Sequence, residues 1–335
     1  MAQGVLAPGQ RAAFPGTLRT AGLLCFSMSS MRTLPLLALL LRCAAKPPTA
    51  KLRNGVEMPL LSAGVFQYNS SQAEASLTAA LESGFTALDT SLVYYNQDGV
   101  ARAIKAVEAK GIRRQDIFVE TKVPGCGNPL VNTSRNPFHC YSSTQKDLEA
   151  NLQELGLPYV DLVIIHFPPI PSFVVRSCGE FTGSCEMARA QWKAMVEFYK
   201  AGKAKAIGVS NYCPSCFDCL KDSDVFPMVN QVMIHVGMGV DPGSIVSYGK
   251  SKGVVTQAYS VLGNTPWANH ADSRILSGDV LKSIAKKHNV STVQLALKFI
   301  VDQGIPAVTK SSNPKHLKSD LDLWSWNLTA DERAQ

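Results

Sequence analysis

Short apolar runs alternate with longer amphipathic stretches along most of the chain. Runs at Ser62 to Phe66, Phe85 to Leu88, Asp116 to Thr121 and Val160 to Ile165 read as strands. So do Ala204 to Val209, Met228 to Ile234, Val254 to Tyr259 and Pro306 to Thr309. Between and after them the apolar spacing predicts helices over Gln72 to Ser83, Asp98 to Lys110, Ser143 to Leu155 and Glu186 to Ala201. Further helices are predicted at Pro214 to Leu220, Pro242 to Lys252, Val280 to His288, Thr292 to Gln303 and Pro314 to Leu321. Near the start, Asn54-Gly55 lies between short flanks and has the chemistry of a two-residue hairpin turn.

Eight strand–helix units with short, apolar strands describe a buried parallel sheet. The fold class expected is α/β, a (β/α)₈ TIM barrel with a short N-terminal β-hairpin. A doubly wound sheet is the alternative. It calls for a Gly-rich phosphate fingerprint after the first strand, and Gly64-Val65-Phe66-Gln67 is not one. Two strand-to-helix loops are long, Val123 to Tyr141 and Phe167 to Cys185, and both belong to the face where barrel active sites form.

The chain has 335 residues, 46% hydrophobic and 18% charged, which fits a globular protein with a sizeable core. Its net charge of +7 is uneven. The first 56 residues hold seven basic side chains and no acid, so the rest of the chain is neutral. A neutral body argues against nucleic-acid binding. The acid-free segment, residues 1–46, has the Arg-, Ser- and Ala-containing composition of a targeting peptide, and Leu34 to Leu41 is too short to span a membrane. An unstructured extension or a misassigned start is the other reading. Residues 47–335 are then the barrel. The extension implies organelle import or secretory entry if it is a signal, and a cytoplasmic protein if it is not.

Nine cysteines are many for a cytosolic enzyme. Cys25 and Cys43 lie in the extension, Cys126 with Cys140 and Cys178 with Cys185 each bracket a loop, and Cys213, Cys216 and Cys219 share one segment. Three cysteines without an evident fourth ligand do not make a zinc site, and no metal is expected. Free thiols are one reading; two loop disulfides, 126–140 and 178–185, are the other and need an oxidising compartment. Asn-x-Ser/Thr triplets at Asn69, Asn132, Asn289 and Asn327 suit secretion but arise readily by chance.

The candidate chemistry sits at strand ends. Asp89 and Tyr94 follow the run ending at Leu88, Lys122 follows Ile117-Phe118-Val119, and His166 follows Leu162 to Ile165. An acid, a phenol, an amine and an imidazole at successive strand ends are the parts of a proton-transfer site. The stretches around them are Asn-Gly-Val-Glu-Met-Pro at 54–59, Leu-Asp-Thr-Ser-Leu-Val-Tyr at 88–94, Glu-Thr-Lys at 120–122 and Val-Asp-Leu-Val-Ile-Ile-His-Phe-Pro at 160–168. Gly-Lys-Ala-Lys-Ala-Ile-Gly-Val-Ser-Asn-Tyr at 202–212, Asn-Gln-Val at 230–232, Ala-Tyr-Ser at 258–260 and Thr-Lys-Ser at 309–311 complete the series. In this order the stretches resemble the aldo-keto reductase superfamily, from roughly Lys51 to Glu332.

The resemblance implies reduction of a small-molecule aldehyde or ketone with NADP(H), with NAD(H) as the alternative cofactor. It implies Tyr94 as proton donor, Lys122 as the ammonium that lowers the phenol's pKa, Asp89 as the holder of Lys122, and His166 as a substrate-orienting group. It implies Tyr259 against the nicotinamide, Ser210, Asn211 and Gln231 on its carboxamide, and Ser260 and Leu262 along the pyrophosphate. Lys310 and Ser311, beside the Asn313-Pro314 helix start, suit a 2′-phosphate. The pattern departs from the family at His316, where an arginine is usual, and at Ser319 and Asp320, where Glu and Asn are usual; Lys315 and Lys318 are at hand to compensate. Phe66 and Phe167 stand where tryptophans are usual and keep an aromatic wall for substrate. A regulatory, nucleotide-binding subunit of the same fold with little turnover is the alternative function. A monomer without a membrane span is expected.

Overall fold

A computed structural model of the protein describes residues 47–127, 137–169, 183–263 and 273–335. The extension at 1–46, with Cys25 and Cys43, and also Asn132 and Cys178, lie outside the described residues.

Eight parallel strands close into a barrel. In chain order, a hairpin of β1 (Thr49–Lys51) and β2 (Glu57–Pro59) precedes β3 (Leu61–Gly64). Then come α1 (Ser70–Ser83), β4 (Ala87–Asp89), α2 (Gln97–Glu108), β5 (Phe118–Val123), α3 (Pro137–Leu155), β6 (Val160–Ile165) and α4 (Cys185–Lys200). β7 (Ala204–Ser210), β8 (Val229–Met233), α5 (Ile245–Lys252) and β9 (Val255–Tyr259) follow. The chain finishes with α6 (Ser273–Ser277), α7 (Asp279–His288), α8 (Thr292–Val301), β10 (Ala307–Thr309), α9 (Pro314–Asp320) and α10 (Ala330–Ala334). Strand β10 pairs with both β9 and β3, and that pairing closes the sheet. The doubly wound alternative, an open sheet, is thereby excluded.

The strands are apolar because both of their faces are covered. Val119, Val163 and Ile165 are buried together with Leu77, Leu81, Val100 and Ile104 of the helical ring. Local chemistry sets the helix ends. Asn69 accepts from Gln72 N while the Gln72 side chain accepts from Asn69 N, and Gly84 ends α1 at φ 112°. Helices α1 and α2 approach so closely that a Cβ on Gly99 would sit 2.0 Å from Ser70 O. Glycine is required there by contact, not by dihedral angle.

The hairpin differs from its expected form. Gly55 N donates to Leu52 O and Leu52 N to Val56 O, so the loop is Arg53-Asn54-Gly55, three residues rather than two. Gly55, at φ 89°, takes the left-handed position that such loops need. Asn54 spends its side chain elsewhere, donating to Lys205 O at 2.8 Å. The helix expected at Pro214 to Leu220 is 3₁₀, and only Ile245 onward is α-helical in the 242–252 segment. Helix α3 begins six residues earlier than its pattern suggests, at Pro137, because Pro suits a first turn. Among the described residues no helix is long and apolar enough to cross a membrane.

The cysteines pair partly as expected. Cys126 and Cys140 are bonded, with Cα atoms 5.6 Å apart. Cys185 is bonded to Cys219, not to Cys178. Cys185 opens α4 and Cys219 sits in the 3₁₀ segment after β7, so the fold brings together residues 34 apart in sequence that spacing could not connect. Cys213 is also disulfide-bonded, and Cys216 is a buried free thiol.

Candidate active site

The C-terminal ends of the strands carry the polar residues, as strand direction requires in this fold. Asp89 is the last residue of β4, and Tyr94 ends a 3₁₀ turn just beyond it. Lys122 lies on β5, and His166 immediately follows β6. These four come together. Lys122 Nζ donates to Asp89 Oδ2 at 2.5 Å and to Thr90 O at 2.9 Å, and lies 5.2 Å from the Tyr94 ring centre. The Tyr94 and His166 rings meet edge to face, with centres 5.7 Å apart.

Electrostatics follow from enclosure. Lys122 is wholly buried, and burial alone would favour its neutral form. The negative charge of Asp89, bonded to it, offsets that and keeps the ammonium. The expectation for Tyr94 needs correction. Burial raises its pKa above the ordinary 10, and the opposing pull of Lys122 does not overcome it. Burial, followed by the Lys122 charge, depresses His166 well below 6.5, so the imidazole is neutral at physiological pH.

His166 is oriented by a residue that sequence reading missed. Ser91 Oγ lies 3.2 Å from His166 Nδ1. The only signal was its place between Asp89 and Tyr94. Around the pair, Phe167 stacks on His166 at 4.8 Å and Phe66 lies 5.0 Å from Tyr94. Both expected wall residues therefore flank the phenol and imidazole.

A second group forms at β7 and β9. Asn211 Nδ2 donates to His166 O at 2.9 Å, and the Tyr259 hydroxyl donates to Asn211 Oδ1 at 2.8 Å. Ser210 Oγ donates to Gln231 O at 2.7 Å. Gln231 faces the barrel interior: its Nε2 is within 3.0 Å of Asp89 Oδ2, Glu120 Oε1 and Gln257 Oε1. Glu120 and Gln257 were not singled out from the sequence, because a polar residue inside an apolar run gives no sign of which face it takes. Ser260 and half-buried Leu262 follow β9.

Four non-glycine residues at this end adopt left-handed backbone: Gln67, Tyr95, Asn211 and Ser260, with φ from 53° to 65°. Such strain collects at functional rims.

Lys310 follows β10. Its Nζ donates to Phe66 O at 3.0 Å and lies 4.8 Å from the Tyr68 ring centre. No carboxylate pairs with it among the described residues, and partial burial lowers its pKa. A partly desolvated cation without a counter-ion fits an anionic group such as a phosphate. The Tyr259 ring, half-buried and tethered through its hydroxyl, fits a planar nicotinamide. Ser311 Oγ accepts from Asn313 N, and Ser311 O accepts from Ser76 Oγ. His316 is exposed. Asp320 is buried and accepts from Thr309 Oγ1 at 3.0 Å, which removes it from the surface where the family's adenine contact is usual. Among the described residues no group of three His, Cys, Asp or Glu side chains could hold a metal ion.

The comparisons agree with this geometry. A family model described as the Aldo/keto reductase family matches residues 61–335. Glyoxal reductase of Bacillus subtilis is 31% identical over 286 residues, 85% of this chain and 90% of that protein. Morphine 6-dehydrogenase of Pseudomonas putida is 29% identical over 87% of this chain and 91% of its own length. The crystal structure of a Bombyx mori aldo-keto reductase in complex with NADP superposes with a TM-score of 0.70 at 26% identity, covering 87% of this chain and 92% of that one. A parallel eight-stranded barrel and a family match over nearly its whole length make the chain a member of the aldo/keto reductase family.

Proposed function

We propose that the protein reduces an aldehyde or ketone to an alcohol with NADPH, and that Tyr94 supplies the proton. The observation that carries this reading is the buried Asp89–Lys122 pair beside Tyr94 and His166 at the barrel mouth. The bound cofactor supplies hydride to the carbonyl carbon.

The protein's own residues do the rest. Negative charge develops on the carbonyl oxygen, and donors placed in advance stabilise it. Tyr94 is protonated at rest because burial holds its proton, which is the state a general acid needs. When the proton leaves, the Lys122 ammonium is positioned to compensate the phenolate, and Asp89 keeps that ammonium in place. His166 acts as a neutral donor. If the Ser91 hydroxyl donates to Nδ1, the ring proton resides on Nε2 and is free to meet the substrate oxygen. Phe66 and Phe167 form apolar walls, which favour carbonyls with apolar or aromatic substituents.

For the cofactor, Tyr259 would stack on the nicotinamide, with Ser210, Asn211 and Gln231 near its carboxamide. Ser260 and Leu262 would follow the pyrophosphate, and Lys310 and Ser311, with His316 nearby, would meet the 2′-phosphate. The test is a panel of aliphatic, aromatic and dicarbonyl substrates, with NADPH and NADH in parallel, followed by loss of cofactor absorbance. Oxidation of NADPH by at least one substrate class supports the reading. Cofactor binding without turnover across the panel would replace it with a nucleotide-binding, regulatory role.

A further inference from the structure

Below the four residues at the mouth, the barrel interior holds a carboxyl that the reduction chemistry does not use. Glu120 and Lys122 are two apart on β5 and so share a face. Glu120 is wholly buried. Its Oε1 accepts from Gln231 Nε2 at 2.9 Å and its Oε2 from Gln257 Nε2 at 2.7 Å. Gln231 Nε2 also lies 2.8 Å from Asp89 Oδ2, the same oxygen that Lys122 holds. A chain of contacts therefore runs from Glu120 through Gln231 and Asp89 to Lys122, across β5, β8 and β4.

A charge count shows that this chain lacks a proton when both carboxyls are ionised. Asp89 and Glu120 are two carboxyls with one cation between them, since Lys122 is the only ammonium bonded to either among the described residues. An uncompensated carboxylate in a barrel interior is strongly disfavoured. One added proton settles that count. Asp89 is already neutralised by Lys122, so the proton belongs to Glu120.

We propose that Glu120 stores a proton at neutral pH and is a positioning residue whose ionisation, relayed through Gln231 and Asp89 to Lys122, sets the proton affinity of Tyr94. Burial, with the nearby Asp89 charge second, pushes its carboxyl far above the ordinary range, in keeping with this role. The groups that face Glu120 are Asp89 from β4, Gln231 from β8, Gln257 from β9 and Lys122 on its own strand, and of these only Asp89 and Lys122 titrate. When pH rises, the Glu120 proton passes to solvent and one negative charge is added to the chain. That charge makes loss of the phenol proton harder, and reduction then persists to higher pH. The relay rests on the reading of Tyr94 as the acid.

The experiment compares full-length wild type with Glu120→Gln and Glu120→Asp. The first readout is thermal unfolding as a function of pH. A folded-state carboxyl pKa raised above its unfolded value of 4.5 makes wild-type stability fall as pH climbs from 4.5 toward about 8. Glu120→Gln has no such proton to lose, so its melting temperature relative to wild type should rise across that window, and Glu120→Asp should restore the wild-type slope. The second readout is the pH profile of kcat/KM for carbonyl reduction, whose alkaline limb should move down by on the order of one unit in Glu120→Gln. If the glutamine variant does not fold, infrared difference spectra of wild type decide the first point. A protonated-carboxyl band should then be lost as pH passes through about 8, clear of Asp147 and Asp320, whose carboxyls are raised only to about 6. A stability difference that is flat with pH, or no such band, overturns the stored proton whether or not the protein reduces carbonyls. A pH profile unmoved in Glu120→Gln overturns the relay. Wild type without carbonyl reduction overturns the catalytic reading, and the relay with it, but leaves the stability result standing.

Discussion

Lys122 Nζ and Asp89 Oδ2 are 2.5 Å apart on adjacent strands, and both side chains are buried. Removing one partner leaves a charge with nowhere to go. Asp89→Ala should therefore lower stability by about 3–5 kcal/mol. Urea unfolding of the variant against wild type measures this. A loss under about 1 kcal/mol would mean that water reaches Lys122 and that the pair is exposed in solution.

Tyr94→Phe removes the proposed proton donor and almost no volume. Carbonyl reduction should fall by at least ~10², with NADPH affinity retained. Steady-state kinetics together with fluorescence titration of the cofactor separate the two effects. A phenylalanine variant that turns over like wild type would remove Tyr94 from the mechanism.

His166 supplies a pH signature. Its folded-state pKa is depressed, so the unfolded chain takes up a proton first as pH falls below 6.5. The stability that neutral His166 contributes is present above 6.5 and is lost progressively below it. His166→Gln should flatten this acid-side loss of melting temperature. The same depression keeps the imidazole neutral, so kcat/KM for reduction should show no ionisation near 6.5 in wild type.

Lys310 discriminates cofactors. A charge-assisted phosphate contact contributes roughly 1.5–3 kcal/mol, so Lys310→Met should weaken NADPH by about tenfold or more and leave NADH nearly unchanged. Equal weakening of both in binding titrations would show that Lys310 supports the loop through its bond to Phe66 O rather than reading a phosphate.

The disulfide between Cys185 and Cys219 spans 34 residues. In the chain-entropy model a loop of that length corresponds to about 4 kcal/mol. Cys219→Ala should lower the melting temperature in oxidising buffer and have little effect after reduction. Alkylation of the native protein followed by mass spectrometry should leave Cys126, Cys140, Cys185, Cys213 and Cys219 unlabelled. Ready labelling of Cys185 and Cys219 without reductant would remove this bridge.

The barrel was legible because its strands are apolar on both faces and its helices are not. That contrast repeats eight times, and it gave element order, fold class and even the ends of β6 at Val160 and Ile165. Asp89, Tyr94, Lys122 and His166 were legible because each stands just outside or at the end of such a run. Glu120, Gln257 and Ser91 were not. Each owes its role to a partner on another strand or turn, and the register that joins them, such as Asp89 opposite Glu120 and Gln231 opposite Gln257, is a property of the closed sheet. The partner of Cys185 was hidden for the same reason. The direction of the Tyr94 shift was misjudged because a sequence names the lysine beside a phenol but not how far the fold desolvates the phenol, half-buried at the mouth.

The β1–β2 hairpin has one more consequence. Arg53 reaches Lys252 O at the end of α5, and Asn54 reaches Lys205 O at the start of β7. Both anchors are at the N-terminal end of the barrel, opposite Tyr94 and Lys310. A surface linkage made through the hairpin would leave the mouth facing solution. This protein therefore lends itself to oriented immobilisation, on an electrode or a bead, through its hairpin end.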